Sequence, residues 1–203
     1  KGLLYCGTDR GLFWTSKNDG KSWEENSKNI ANAYIRSIHP SYFRKQRVYM
    51  AMTGINYDDL NNYLYTSENY GKDWKRIKGN LPNEPANIIT EDKIYENILY
   101  AGMYRGVYIS VDRGKTWNIL GKEFPMSSVS DIEIEERSND MIVSTHGRGI
   151  YKINLDPIHK FYKYRNELSK DNFLSIEKMI LPKFNDTHGE PIPESYEKVP
   201  ISF

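Results

Sequence analysis

Arg10, Arg105 and Arg148 each precede a glycine, in short connections between strand-like runs. Asp9, Asp58, Asp59, His146, Tyr57 and Tyr104 lie in the same kind of connection. These are the residues whose types could do chemistry. A cluster of arginines can hold a carboxylate. Two facing carboxyls, one protonated and one ionised, can cleave a glycosidic bond. Aromatic and charged groups on loops of a rigid scaffold can bind a ligand without reacting. Plainer roles compete with each. An Arg before Gly is often a solvated turn residue, and Asp9 can simply pair with Arg10. Asp58 and Asp59 are adjacent, so in a strand they point apart and form no catalytic pair by themselves. Asp9 with Asp59 is the remaining pairing, and these two are the candidate acids. Arg10, Tyr57, Asp58, Tyr104, Arg105, His146 and Arg148 are the candidate ligand-binding residues.

The elements that must position them are announced by one pattern, written three times. It runs Ser16, Asn18, Gly20, Ser22, Trp23; then Ser67, Asn69, Gly71, Asp73, Trp74; then Ser110, Asp112, Gly114, Thr116, Trp117. Strand-like runs flank the copies, such as Val107-Tyr108-Ile109 before the third and Asn118-Ile119-Leu120 after it. Each copy therefore reads as a hairpin connection. The glycine supplies a positive φ, the Asx side chain accepts hydrogen bonds from turn amides, and the Trp buries apolar surface against a neighbouring repeat. Acidic residues alternating with glycine also suggest a calcium loop, but each copy has too few carboxylates and no late Glu. The reading calls for no metal and no cofactor.

A repeat of this size points to a propeller, solenoid or array. The pattern is that of the Asp-box, or BNR repeat, and the chain resembles the Asp-box β-propellers. Beyond the boxes, Leu99-Tyr100-Ala101-Gly102, Arg105-Gly106-Val107-Tyr108 and Thr145-His146-Gly147-Arg148-Gly149-Ile150-Tyr151 are similar to blades of the bacterial sortilin-like proteins named as BNR-repeat glycosyl hydrolases. The resemblance covers residues 1 to about 155. It implies an all-β fold of four-stranded antiparallel blades, with a ligand site on the face opposite the boxes and an extracytoplasmic setting. It also implies three competing roles. A sialidase would use Arg10, Arg105 and Arg148 as a carboxylate clamp, but the Arg-Ile-Pro start of that family is absent. A xyloglucanase-type hydrolase would use facing carboxyls. A sortilin-like receptor would hold a glycan or a polypeptide without chemistry. The absence of a legible nucleophile–base constellation favours binding, with a glycoside hydrolase as the alternative.

Composition adds bounds. The chain has 203 residues, 38% hydrophobic, with a net charge of +1, so bulk electrostatics suggest neither nucleic acid nor an acidic tail. Sixteen Tyr and four Trp suit a strand-rich chain. The single Cys6 lies in an apolar run and reads as a small core residue. No apolar run is long enough for a membrane span. His39 reads as a turn residue, and the four His lack metal-ligand spacing.

Two full blades and two partial ones are expected. The chain opens on a second strand, and the last blade, from Val129 to Ile153, lacks a fourth. The expectation is that residues 1–155 are the C-terminal part of a larger propeller, completed by its remaining blades or by another copy of the chain. Residues 156–203 read as a helical and Pro-rich appendage or linker. A helical spacing runs from Phe161 to Ile180, and an extended tail carries Pro182, Pro191, Pro193 and Pro200.

Overall fold

A computed structural model describes residues 2–121, 124–164, 179–181 and 197–199. The first blade holds β1 (Leu4–Gly7), β2 (Phe13–Ser16) and β3 (Glu24–Glu25). The second holds β4 (Tyr34–Pro40), β5 (Val48–Gly54), β6 (Asp59–Ser67) and β7 (Lys75–Arg76). The third holds β8 (Ala86–Glu91), β9 (Leu99–Met103), β10 (Gly106–Ser110) and β11 (Asn118–Ile119). The fourth holds β12 (Val129–Glu135), β13 (Asp140–Thr145) and β14 (Gly149–Asn154). Each blade is an antiparallel meander, so blades two and three have four strands and the outer two have three. The helix α1 (Asp156–Tyr164) follows, and β15 (Met179–Leu181) pairs with β16 (Glu197–Val199).

Of the helical spacing expected over 161–180, the described helix α1 covers Phe161 to Tyr164, while Met179 and Ile180 stand in a strand. Residues 165–178, and the four prolines read as an extended tail, lie outside the described residues. No helix among the described residues is long and apolar enough to cross a membrane.

Blades stack face to face through three apolar clusters. Phe13 of the first blade packs with Val48, Met50, Met52, Tyr65 and Trp74 of the second. Tyr49, Leu64 and Ile77 meet Ile89, Leu99 and Trp117 between the second and third. Tyr100, Val107 and Ile109 meet Val129, Ile132 and Val143 between the third and fourth. At about 1.5–3 kcal/mol per fully buried aliphatic or aromatic side chain, these seams dominate the stability. Cys6 stands outside them. It is exposed, because it shares the face of β1 with Leu4, and the described residues include no blade packed on that face.

The innermost strands share one irregularity. Ile35 faces Met52 and Ser37 faces Ala51, leaving Arg36 as an extra residue in β4. Ala86 faces Met103 and Ile88 faces Gly102, leaving Asn87 extra in β8. Val129 faces Thr145 and Asp131 faces Ser144, leaving Ser130 extra in β12. Each is a β-bulge near the start of its strand, where the side-chain alternation is interrupted.

Candidate functional site

The three boxes fold alike. The serine Oγ accepts the glycine N–H at 2.9, 2.9 and 2.8 Å from Gly20, Gly71 and Gly114. The same hydroxyls donate to Asn18, Asn69 and Asp112. Those side chains accept the backbone N–H of Ser22, Asp73 and Thr116 at 2.9, 2.9 and 2.8 Å. All three glycines have φ near +80°, and the preceding Asp19, Tyr70 and Arg113 are left-handed too. Burial opposes ionisation of Asp112, but bonds from Thr116, Ser110 and Lys115 outweigh it and hold its carboxyl below the usual range. The boxes therefore use their polar groups internally. Among the described residues, no group of three His, Cys, Asp or Glu is placed to hold a metal.

The Trp residues separate by blade. Trp74 Nε1–H donates to the Asn26 carbonyl and Trp117 Nε1–H to the Ile77 carbonyl. They are 8% and 2% exposed, whereas Trp23 is 42% exposed. The expected burial of Trp23 fails because the described residues include no blade before it.

A second polar network surrounds the box end. Arg47, 1% exposed, donates to Glu68 at 2.8 Å and to Glu96 at 2.7 Å, and stands 3.6 Å from buried Glu91. Glu91 also accepts Ser41 Oγ, the Tyr42 N–H and Tyr49 OH. Hydrogen bonds from Arg44 and then Arg47 pull the Glu96 carboxyl down to about 2. Asp92, fully buried, accepts from Tyr100 OH, the Ile94 and Tyr95 N–H groups and His159 Nε2. Asn139 Nδ2 meets His159 Nδ1 at 2.9 Å and Asp156 at 2.7 Å, tying α1 to blades three and four. Sequence reading left His159 in an appendage without a role.

The opposite end differs. The turns linking second to third strands lie there, along with the starts of β4, β8 and β12. The Tyr104 N–H donates to the Pro85 carbonyl and the His146 N–H to Ser128, so each turn is fastened to the start of its own blade's inner strand. A recess of about 220 Å³ opens between them. Blade two contributes Tyr34, Arg36, Thr53, Ile55 and Asn56; blade three contributes Pro85, Asn87 and Tyr104; blade four contributes Ser128, Ser130 and His146. Below it, along the axis, a channel of about 480 Å³ is lined by the lengths of β4, β8 and β12. His39 faces this channel. Burial, and secondarily Lys93, lower its imidazole to about 4.

Of the sequence candidates, Tyr104 and His146 line the recess. Tyr57 and Asp58 lie in the adjoining β5–β6 connection, where Asp58 has φ +56° and closes a short 3-10 turn. Asp59 accepts Tyr63 OH at 2.6 Å and both Asn61 nitrogens, and those bonds, Tyr63 first, lower its carboxyl. Arg105 stands 3.7 Å from Glu84, whose carboxyl is raised by burial against the pull of Tyr108 and Arg105. Asp9, Arg10 and Arg148 have exposed side chains that make no hydrogen bond or ion pair among the described residues. None of Asp9, Arg10, Asp59, Arg105 and Arg148 lines the recess.

Arg36, Asn87 and Ser130 were missed. A signal for them exists. The core residues Ile35 and Ile38, Ala86 and Ile89, and Val129 and Ile132 are spaced by three where an ordinary strand spaces them by two. A groove of about 940 Å³ on the box side offers less, because its arginines are engaged. Its Arg113 is paired with Glu68 and its Arg76 is bonded to Asn62.

Residues 64–77 match the family model described as BNR-Asp box repeat. No curated protein matches the chain in sequence. Among solved structures, it is similar to the GH74 xyloglucanase of Xanthomonas campestris, with a TM-score of 0.59 at 16% identity, over 76% of this chain and 26% of that one. It is also similar to YCF48 bound to D1 peptide, with a TM-score of 0.53 at 12% identity, over 74% and 46%. For YCF48 from Cyanidioschyzon merolae the TM-score is 0.51 at 12% identity, over 97% and 68%. The chain thus spans about a quarter of the xyloglucanase's length.

Proposed function

Since the chain is built of Asp-box β-propeller blades, we propose that its box-free end is a recognition surface for an extended polypeptide, held at the recess where blades two, three and four converge. The observation that carries this is the rim's composition. Ile55, Tyr57, Leu60, Tyr104 and Met126 are exposed there, giving the rim apolar and aromatic groups that a bound segment can cover. A recess of about 220 Å³ suits one side chain or a chain end rather than a whole small ligand. Within the fold, a YCF48 structure is described with a peptide bound. Residues 1–155 act here as blades of a propeller that further blades or a second copy complete, and residues 156–203 act as an appendage.

A glycan is the competing ligand. Hydrolysis is disfavoured by the recess lining, which includes no Asp or Glu among the described residues. Asp59 is engaged by Tyr63 and Asn61, which leaves it poorly suited to act as an acid.

The test is capture from a random-peptide display library by the immobilised protein, in parallel with an oligosaccharide array. Peptides should be retained, and a Tyr104→Ala, His146→Ala double variant should lose them. An Arg105→Ala, Arg148→Ala variant should keep them. Retention of oligosaccharides alone, or peptide capture indifferent to Tyr104→Ala and His146→Ala, overturns the reading.

A further inference from the structure

The three bulged residues, Arg36, Asn87 and Ser130, occupy the same place in three successive blades. They are also the residues that line both the mouth recess and the axial channel beneath it. A bulge turns a side chain out of the ladder's alternation and re-aims it. Here the re-aimed side chains form a collar at the neck between the two cavities.

The collar's chemistry is specific. The Arg36 guanidinium rests over the Tyr34 ring, 5.4 Å from its centroid, and makes no hydrogen bond or ion pair among the described residues. Asn87 Nδ2 donates to Ser128 Oγ at 3.0 Å and to the Val129 carbonyl at 2.8 Å. These bonds fix the amide plane beside the neck. Ser130 adds a hydroxyl. The charges deeper in the channel include Asp131 and Glu133, and Glu133 pairs with Lys93 at 3.4 Å. Both Asn87 Nδ2 hydrogens are committed to Ser128 and Val129, so the donors left for a ligand are the Arg36 guanidinium, held over an aromatic face, and the Ser130 hydroxyl; a guanidinium engages a planar anion through two parallel hydrogen bonds.

Resting on the recognition role proposed above, we infer that this collar anchors a carboxylate of the bound polypeptide, with Arg36 as its principal contact. The carboxylate belongs to the chain's C-terminus or to an Asp or Glu side chain. Tyr104, His146 and the apolar rim then hold the residues next to it.

Peptides captured by the wild-type protein are synthesised in three forms: unaltered, with an amidated C-terminus, and with Asp and Glu replaced by Asn and Gln. Dissociation constants are measured for wild type, Arg36→Gln and Ser130→Ala. Loss of a charge-assisted hydrogen bond should weaken the unaltered form about tenfold or more in Arg36→Gln, and the form lacking the anchoring carboxylate should bind both proteins alike. Whichever altered form loses affinity for wild type names the source of the carboxylate. The exposed position of Arg36 leaves folding intact, which unfolding curves of Arg36→Gln will check. Captured peptides that depend on Tyr104 and His146 yet ignore both alterations and Arg36→Gln overturn the collar while sparing the mouth. If no peptide is captured, or capture ignores Tyr104 and His146, the mouth reading falls and the collar falls with it.

Discussion

The two ends of the blades differ in how completely their charged groups are engaged. At the box end, Arg47 satisfies Glu68, Glu91 and Glu96, and Asp92 is surrounded by four donors. Each box closes a loop of hydrogen bonds on itself. At the mouth end Asp59, Glu84 and Asn87 are engaged, but Arg36 and Arg10 have exposed side chains that make no hydrogen bond or ion pair among the described residues, and Tyr57 is 69% exposed. A group already engaged is poorly placed to receive a ligand, and a group left open lends little to folding. Stability and recognition are therefore divided between the ends, and substitutions should divide in the same way.

The largest effect belongs to the box end. Arg47→Met should destabilise by about 3–5 kcal/mol, because Glu91 would stay buried without its cation. Urea unfolding measures this, and a loss below about 1 kcal/mol, the usual worth of an exposed pair, would mean the network is not structural. Trp117→Ala should cost a similar amount, about 3–5 kcal/mol, through the cavity it leaves. Trp23→Ala, at a half-exposed site, should stay near the ordinary surface range of about 0.5 kcal/mol. Equal losses at Trp23 and Trp117 would show that box tryptophans act within their own turn rather than against the neighbouring blade.

Acid should unpick the same end. The Glu96 carboxyl, lowered by Arg44 and Arg47 to about 2, lies below its unfolded value of 4.5. Its contribution is present above that unfolded value and disappears as pH falls through about 2. Unfolding free energy should therefore decline with falling pH across that window, and Glu96→Gln should flatten the decline. An unchanged slope would place the acid-labile group elsewhere. The smallest effect is at the mouth. Tyr57→Ala and Tyr104→Ala should alter stability by no more than about 0.5 kcal/mol while peptide capture falls. Marked destabilisation at either residue would erase the division between the ends.

How far the sequence carried differs by feature. The boxes were legible because their work is local. Ser110, Asp112, Gly114 and Thr116 meet within one turn, so residue type and spacing suffice. The runs expected to flank the third box, Val107 to Ile109 and Asn118 to Leu120, fall in β10 at 106–110 and at β11, 118–119. The mouth was only half legible. Tyr104 and His146 reach it because they sit in turns, but neighbouring Arg105 and Arg148 do not line it. Adjacent residues in a turn diverge, and spacing alone does not say which one looks inward. Arg36, Asn87 and Ser130 depend on pairing between strands, since a bulge exists only relative to its partner's register. Cys6 and Trp23 were misread for the same reason. Their burial depends on what lies beside the first blade, which the local pattern does not encode.

Because the extra residue of a bulge stands outside the pairing of its strand, Arg36 and Ser130 can be exchanged without breaking a ladder hydrogen bond, whereas Asn87 also holds Ser128 and Val129 of the next blade. The collar therefore offers two freely exchangeable positions, 36 and 130, and a third, 87, that is tied to its neighbour. Replacing Arg36 or Ser130 would rewrite what the neck admits while the strands around it keep their register. An Asp or Lys at position 36 or 130 would invert or reinforce the preference, blade by blade.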